Sequence, residues 1–259
     1  MKSANEYIPA RAMFIFAHPD DIEFGSAGTA AKWSRHGSEV TYVVLTDGNI
    51  GSREEGMTAE KLAEIRRREQ SEAAEVAGVA RCLFMGEPDG RLQPTLELRK
   101  KLVRLIRQYT PNVVVCGDPQ FFYSDGYINH PDHRNAGQVA MEAVFPSGDS
   151  PLLFPELVEE GYAPHKVNYV YISFGRREAN MYIDITETID TKIAALRKHV
   201  SQLGDWDPDE RMREWASETG KRVGYEYAEG YFRITLQEIE EETEPEPETE
   251  LEAQAEAGD

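Results

Sequence analysis

Six residues in two short stretches carry side chains that can do chemistry together. His18-Pro19-Asp20-Asp21 follows the apolar run 13–17, and His130-Pro131-Asp132-His133 comes after a second apolar run, 113–116, and a loop. In each stretch the proline can open a helix, because the first helical N–H has no intrahelical partner to lose. Side chains three apart on a helical turn share a face, so His18 and Asp21 can aim at one object while Asp20 points beside it. Together the corners offer His18, Asp21 and His133 as metal ligands, with Asp20 and His130 left as base and acid. One such corner would mean little, since an aspartate in a first turn also meets the helix dipole. The repetition at two strand ends is what points to a metal centre.

Two imidazoles and a carboxylate suit a borderline metal such as zinc and leave a position for water. Metal-activated water attacking a carbonyl needs a base, which Asp20 can be, and a donor for the oxyanion and the leaving amine, which His130 can be. Asp132 can accept from the His130 ring N–H and keep it protonated, or it can simply cap a helix. The same ligand set describes a two-histidine, one-carboxylate Fe(II) enzyme. A non-catalytic metabolite binder on a Rossmann-like sheet is a third reading, weakened because no G-x-G-x-x-G follows the first strand.

The elements that must position these residues alternate. Strands are expected at 12–17, 40–46, 81–85 and 113–116, and helices at 26–36, 58–76, 95–109 and from the second corner to about 144. That order predicts an α/β, Rossmann-like, mostly parallel sheet with helices on both faces, and ligands outside the C-terminal strand ends. Both corners fall there, as do Asp47 and the loop Glu87-Pro88-Asp89-Gly90. A small C-terminal α/β extension follows, with strands at 168–174, 182–185 and 229–234 and helices at 187–203 and 209–221.

The chain of 259 residues carries a net charge of −19, which excludes a general nucleic-acid binder. Eleven acidic residues and no basic ones lie from Thr235 onward. The expected organisation is therefore one domain over 1–234 and a disordered acidic tail over 235–259. No apolar run approaches membrane-spanning length, so no membrane contact and a cytoplasmic location are expected. Cys82 and Cys116 lie in strand-like runs and read as core residues, not as a disulfide.

The corner Ala17-His18-Pro19-Asp20-Asp21, then Arg66-x-x-Glu69, then His130-Pro131-Asp132-His133 resembles the PIG-L/LmbE-like family of zinc-dependent deacetylases. The similarity runs from residue 12 to about 144. It continues thinly through Lys198-His199-Val200-Ser201-Gln202 and the last strand. It implies removal of an N-acetyl group, commonly from an N-acetylglucosamine derivative, with Zn²⁺ on His18, Asp21 and His133. It also implies Asp20 as base, His130 as oxyanion stabiliser and acid, and Arg66 as a substrate contact. Some relatives carry a tyrosine close before the second corner, where this chain has Tyr127. His199 either lines the pocket or is a structural histidine. Relatives form trimers and hexamers, so a homo-oligomer is a further expectation.

Overall fold

The computed structural model describes residues 7–175 and 177–238. The acidic tail lies outside the described residues beyond 238. The chain begins with β1 (Arg11–Phe16), α1 (Asp21–Gly25), α2 (Ala27–Arg35), β2 (Glu39–Thr46), α3 (Ala59–Val76), β3 (Arg81–Glu87) and α4 (Leu96–Tyr109). It continues through β4 (Val113–Gly117), a small hairpin of β5 (Tyr123–Ser124) and β6 (Tyr127–Ile128), α5 (Pro131–Glu142) and α6 (Pro155–Glu159). The C-terminal part holds β7 (Tyr169–Ser173), β8 (Met181–Asp184), α7 (Ile189–Leu196), α8 (Val200–Leu203), α9 (Asp209–Lys221) and β9 (Ala228–Thr235).

The sheet order is β3-β2-β1-β4-β7-β9-β8. Strands β1, β2, β3, β4 and β7 run parallel, and β9 pairs antiparallel with both β7 and β8. The extension expected at the C-terminus is thus an addition to the edge of the same sheet. The order turns back at β1, whose two neighbours are β2 and β4, so the crevice of the switch point opens at the ends of β1 and β4.

Both faces of the sheet are covered, which is why the inner strands read as unbroken apolar runs. From β1, Phe14 and Phe16 pack on one side with Trp33 of α2, Ile189 and Ile193 of α7 and Met212 of α9. Met13 and Ile15 pack on the other with Leu98, Leu102 and Ile106 of α4 and Val139 of α5. Thr58 and Thr95 cap α3 and α4 by accepting the N–H of Lys61 and Leu98. Among the described residues no helix is long and apolar enough to cross a membrane.

Three differences from the sequence expectation matter. The helix expected over 26–36 is preceded by a separate turn, α1, because Asp20 adopts a left-handed backbone (φ 91°) and the chain must turn before it can lie on the sheet. The loop before the second corner folds into the β5–β6 hairpin. The helix expected over 187–203 breaks between α7 and α8, where His199 faces Glu23 and Ser201 donates to Glu69.

Helix α5 approaches the end of β4 closely at Gly137, where an added Cβ would stand 2.3 Å from the Gly117 carbonyl oxygen. Gly137→Ala should push α5 off the sheet, cost about 1–3 kcal/mol and lower the melting temperature by several degrees. A thermal scan that matches the parent would show that the gap can open without cost.

Candidate active site

The two corners sit side by side because their strands do. Register pairs Ile15 with Cys116, so β1 and β4 end together and release His18 and the loop to His130 at one edge. At the first corner the Asp21 carboxylate accepts the backbone N–H of His18 (2.8 Å). Asp20 sits at a φ that costs a non-glycine residue on the order of 1–3 kcal/mol, the kind of strain that collects at functional sites. At the second corner His130 caps α5, with Pro131 in the first turn, and its Nδ1 accepts the N–H of Asp132 (3.2 Å). The three imidazoles form a triangle with ring centres 4.7, 5.1 and 5.4 Å apart.

His18 Nδ1 stands 3.5 Å from Asp21 Oδ2, and His133 Nε2 stands 3.1 Å from Asp21 Oδ1. In a tetrahedral zinc site with bonds of about 2.0–2.2 Å, neighbouring ligand atoms lie about 3.3–3.6 Å apart. The two measured contacts run to different oxygens of Asp21, and the three ligand atoms all lie within 4.8 Å of one another, close enough for the trio to hold a divalent metal. His133 Nδ1 lies 3.0 Å from Asn129 Oδ1, an acceptor that holds a proton on Nδ1 and so makes Nε2, which faces Asp21, the nitrogen a metal would take. His18 Nε2 is 3.0 Å from Asp89 Oδ1 and 3.5 Å from Asp132 Oδ2. A second trio, His18, Asp89 and His130, shares His18 with the first.

Electrostatics follow from burial and this surplus of carboxylates. Burial pulls the His18 pKa down, but contacts with Asp132, Asp21 and Asp89 outweigh it and push it up to about 11. Burial opposes the charge on Asp21, yet His133 and His18 hold its pKa well below the usual range. His133 is raised in turn, Asp21 overcoming its desolvation. Burial raises Asp20 to about 6, against the pull of Arg66. His130 is lowered, first by burial and then by the charge on His18.

Asp132 is where the reading of the second corner changes. Its fully buried carboxylate accepts from the backbone N–H groups of Gly90 (2.7 Å) and Leu92 (3.3 Å), not from the His130 ring. An acceptor to His130 would have favoured a protonated ring; instead His130 Nδ1 accepts the backbone N–H of Asp132, which favours the neutral ring, as does its lowered pKa. Arg66 is also placed differently from a substrate contact. It is buried, and its guanidinium donates to Gly48 O (2.9 Å), Pro19 O (2.5 Å) and Asp20 Oδ2 (3.1 Å). Gly48 makes room for it, since any Cβ there would fall 2.2 Å from Arg66 Nη1.

Asp21 and His133 line a cavity of about 350 Å³ whose other walls are largely aromatic: Phe24, Phe121, Tyr127, Phe174 and Trp215. Asp20, His130 and Arg66 are not among its lining residues. The Tyr127 hydroxyl donates to Asn129 Oδ1 (3.3 Å), so it touches the group that orients His133. His199 lies fully buried 3.3 Å from Glu23, behind Asp20 and away from the cavity.

Residues 13–144, which contain both corners and Arg66, match the PIG-L family, described as GlcNAc-PI de-N-acetylase. The chain belongs to the PIG-L family. It is 33% identical to diacetylchitobiose deacetylase of Thermococcus kodakarensis, over 85% of this chain and 81% of the relative. Its fold is similar to N,N'-diacetylchitobiose deacetylase from Pyrococcus horikoshii, solved with an inhibitor. The TM-score there is 0.81 at 31% identity, over 88% of this chain and 84% of that one. A likeness in fold alone extends to GalB, the 4-carboxy-2-hydroxymuconate hydratase of Pseudomonas putida (TM-score 0.74, 22% identity, 89% and 98% covered).

Two site residues of this PIG-L protein had only a faint signal. Asp89 was visible as part of a loop at a strand end, but nothing local says that it faces His18. Asn129 directly precedes the second corner, and its role depends on where the His133 ring turns.

Metal uptake should expel protons, because His18 and His133 hold theirs more tightly than a free imidazole. Apparent affinity for Zn²⁺ should therefore climb with pH between 6 and 8, about tenfold per unit for each proton displaced. Calorimetry in two buffers of different ionisation enthalpy counts those protons, and a count of zero would mean the ligand set is already deprotonated.

Proposed function

We propose that this PIG-L protein is a metal-dependent N-deacetylase that hydrolyses the acetamido group of a small N-acetylated amino sugar, with zinc held by His18, Asp21 and His133. The observation that supports it is that Asp21 and His133 line an aromatic-walled cavity while His18 stands directly behind Asp21, its ligand atom within 4.8 Å of theirs. Aromatic faces suit the C–H faces of a pyranose, and 350 Å³ is within the range of small-ligand sites. The named relatives that act on diacetylchitobiose favour a sugar of this type.

When bound, zinc supplies a water of lowered pKa and an electrophile for the acetamide carbonyl. Asp20 takes the proton from the attacking water as the new C–O bond forms. Its carboxylate is aimed by Arg66, and its pKa of about 6 leaves it ionised at neutral pH yet basic enough to accept. His130 carries its proton on Nε2, because Nδ1 is occupied by the Asp132 N–H, and a neutral Nε2–H donates to the developing oxyanion. Asp20 then passes its proton to the leaving nitrogen as the C–N bond breaks, giving acetate and a free amine in equal amounts. Asp132 acts one step back: it ties the 90–92 loop to α5 and faces His18 Nε2.

Neighbouring aspartates should separate in their effects. Asp20→Asn should keep bound metal and near-normal KM while kcat falls by about 10²–10⁴-fold, measured as amine released from N-acetylglucosamine and N,N'-diacetylchitobiose. Asp21→Ala should lose the metal and, with it, the activity. Full rate in Asp20→Asn with metal in place would remove the base from this scheme.

The pH profile carries a second expectation. Because Asp20 must be deprotonated to act, kcat/KM should rise with pH and level off above about 6, and a nearby cation would move that limb lower still. Residual activity of Asp20→Asn should lack the limb; its persistence would assign it to another group.

A further inference from the structure

Three polar side chains behind the first corner carry no exposed surface at all: Glu23, Gln70 and His199. They come from α1, α3 and the break between α7 and α8, and they form one chain that ends on Asp20. The Asp20 backbone N–H donates to Gln70 Oε1 (2.9 Å). Gln70 Nε2 donates to Glu23 Oε1 (2.9 Å). Glu23 Oε2 and His199 Nε2, buried atoms with no hydrogen-bond partner among the described residues, face each other at 3.3 Å as a charge contact. The polarity of the chain is set from its far end. A carboxylate only accepts, so Glu23 forces the Gln70 amide to present nitrogen to it and oxygen to Asp20. The His199 ring, whose pKa is raised because Glu23 outweighs its desolvation, offsets a buried charge that would otherwise be costly.

His199 is itself pinned. Ser201 donates its backbone N–H (2.8 Å) and its hydroxyl (2.6 Å) to the two oxygens of Glu69, one turn of α3 from Arg66. The break after α7 falls at His199, between the residue that faces Glu23 and the one that donates to Glu69.

We propose that His199 is a positioning residue for Asp20, acting through Glu23 and Gln70 to hold the backbone at φ 91° and so present its carboxylate to the reacting water. The inference rests on the reading of Asp20 as base. It makes the C-terminal segment, remote in sequence from both corners, a determinant of rate and not only of stability.

The test is a double-mutant cycle with His199→Leu in the parent and in Asp20→Asn, measured as amine release with zinc content and melting temperature in parallel. His199→Leu alone should lower kcat by about 10²-fold, the cost of misplacing a reacting group by roughly 1 Å, with KM and metal content retained. In Asp20→Asn the same change should cost less than about twofold, because the group it acts through is already gone. His199→Gln, which can still donate to Glu23, should recover most of the rate. A crystal structure of His199→Leu should show Asp20 out of its positive φ, a readout that needs no substrate. Equal losses in both backgrounds, or Asp20 unmoved in that structure, would overturn the proposal. If His199→Leu does not fold, Gln70→Met breaks the same chain one link nearer Asp20 and is judged by the same outcomes. Full activity of Asp20→Asn would instead defeat the base assignment and is distinguishable from all of these.

Discussion

Parallel pairing of β1 with β4 in a register that sets Ile15 beside Cys116 is the constraint on which the rest of the site depends. Each strand alternates its side chains between two packed faces, so a slip of one residue would exchange Phe14 with Met13 across the sheet and rotate the corner with it. The strand ends are therefore held by the whole core, far from any polar contact. Gly137 completes the arrangement by letting α5 lie against Gly117, which brings His133 within reach of Asp21. A metal centre split across two corners can afford no freedom between them, and here apolar packing removes it.

Asp21, Asp89 and Asp132 surround His18 in a place where water is scarce, and imidazole protons, backbone N–H groups and Arg66 share in offsetting their charge. This is an arrangement that a divalent ion improves, since it replaces those protons with a larger charge. The same surplus explains why two overlapping trios can be drawn through His18: its two nitrogens face different carboxylates. Asn129, by orienting His133, favours the trio that includes Asp21.

Helix α3 serves the site from behind. Arg66, Glu69 and Gln70 share one buried face of it, and each meets a different part of the molecule: the first corner, the α8 turn and the Asp20–Glu23 link. Each of these three buried side chains finds at least one partner on another segment, as buried polar groups generally must. That requirement ties the N-terminal corner to the C-terminal segment.

What the sequence by itself determined was whatever has a local cause. Apolar runs with intervening amphipathic stretches led to the α/β order, threonine caps located the starts of α3 and α4, and the doubled His-Pro-Asp pattern picked out the six polar residues that meet at the switch point. What only the tertiary structure decided were contacts between segments far apart in the chain. Nothing in the 197–201 stretch forbids a continuous helix; it breaks because Glu23 and Glu69 wait on other elements for His199 and Ser201. Asp132 reads locally as a partner for His130, two residues away, yet its carboxylate is claimed by the backbone of Gly90 and Leu92. Arg66 is expected, from the family resemblance, to contact substrate, yet the helix phase turns it inward onto Asp20 while Arg67 pairs with Asp47 at the surface. In each case a buried polar group must be satisfied by whatever the fold places beside it, and that neighbour is not written in the nearby sequence.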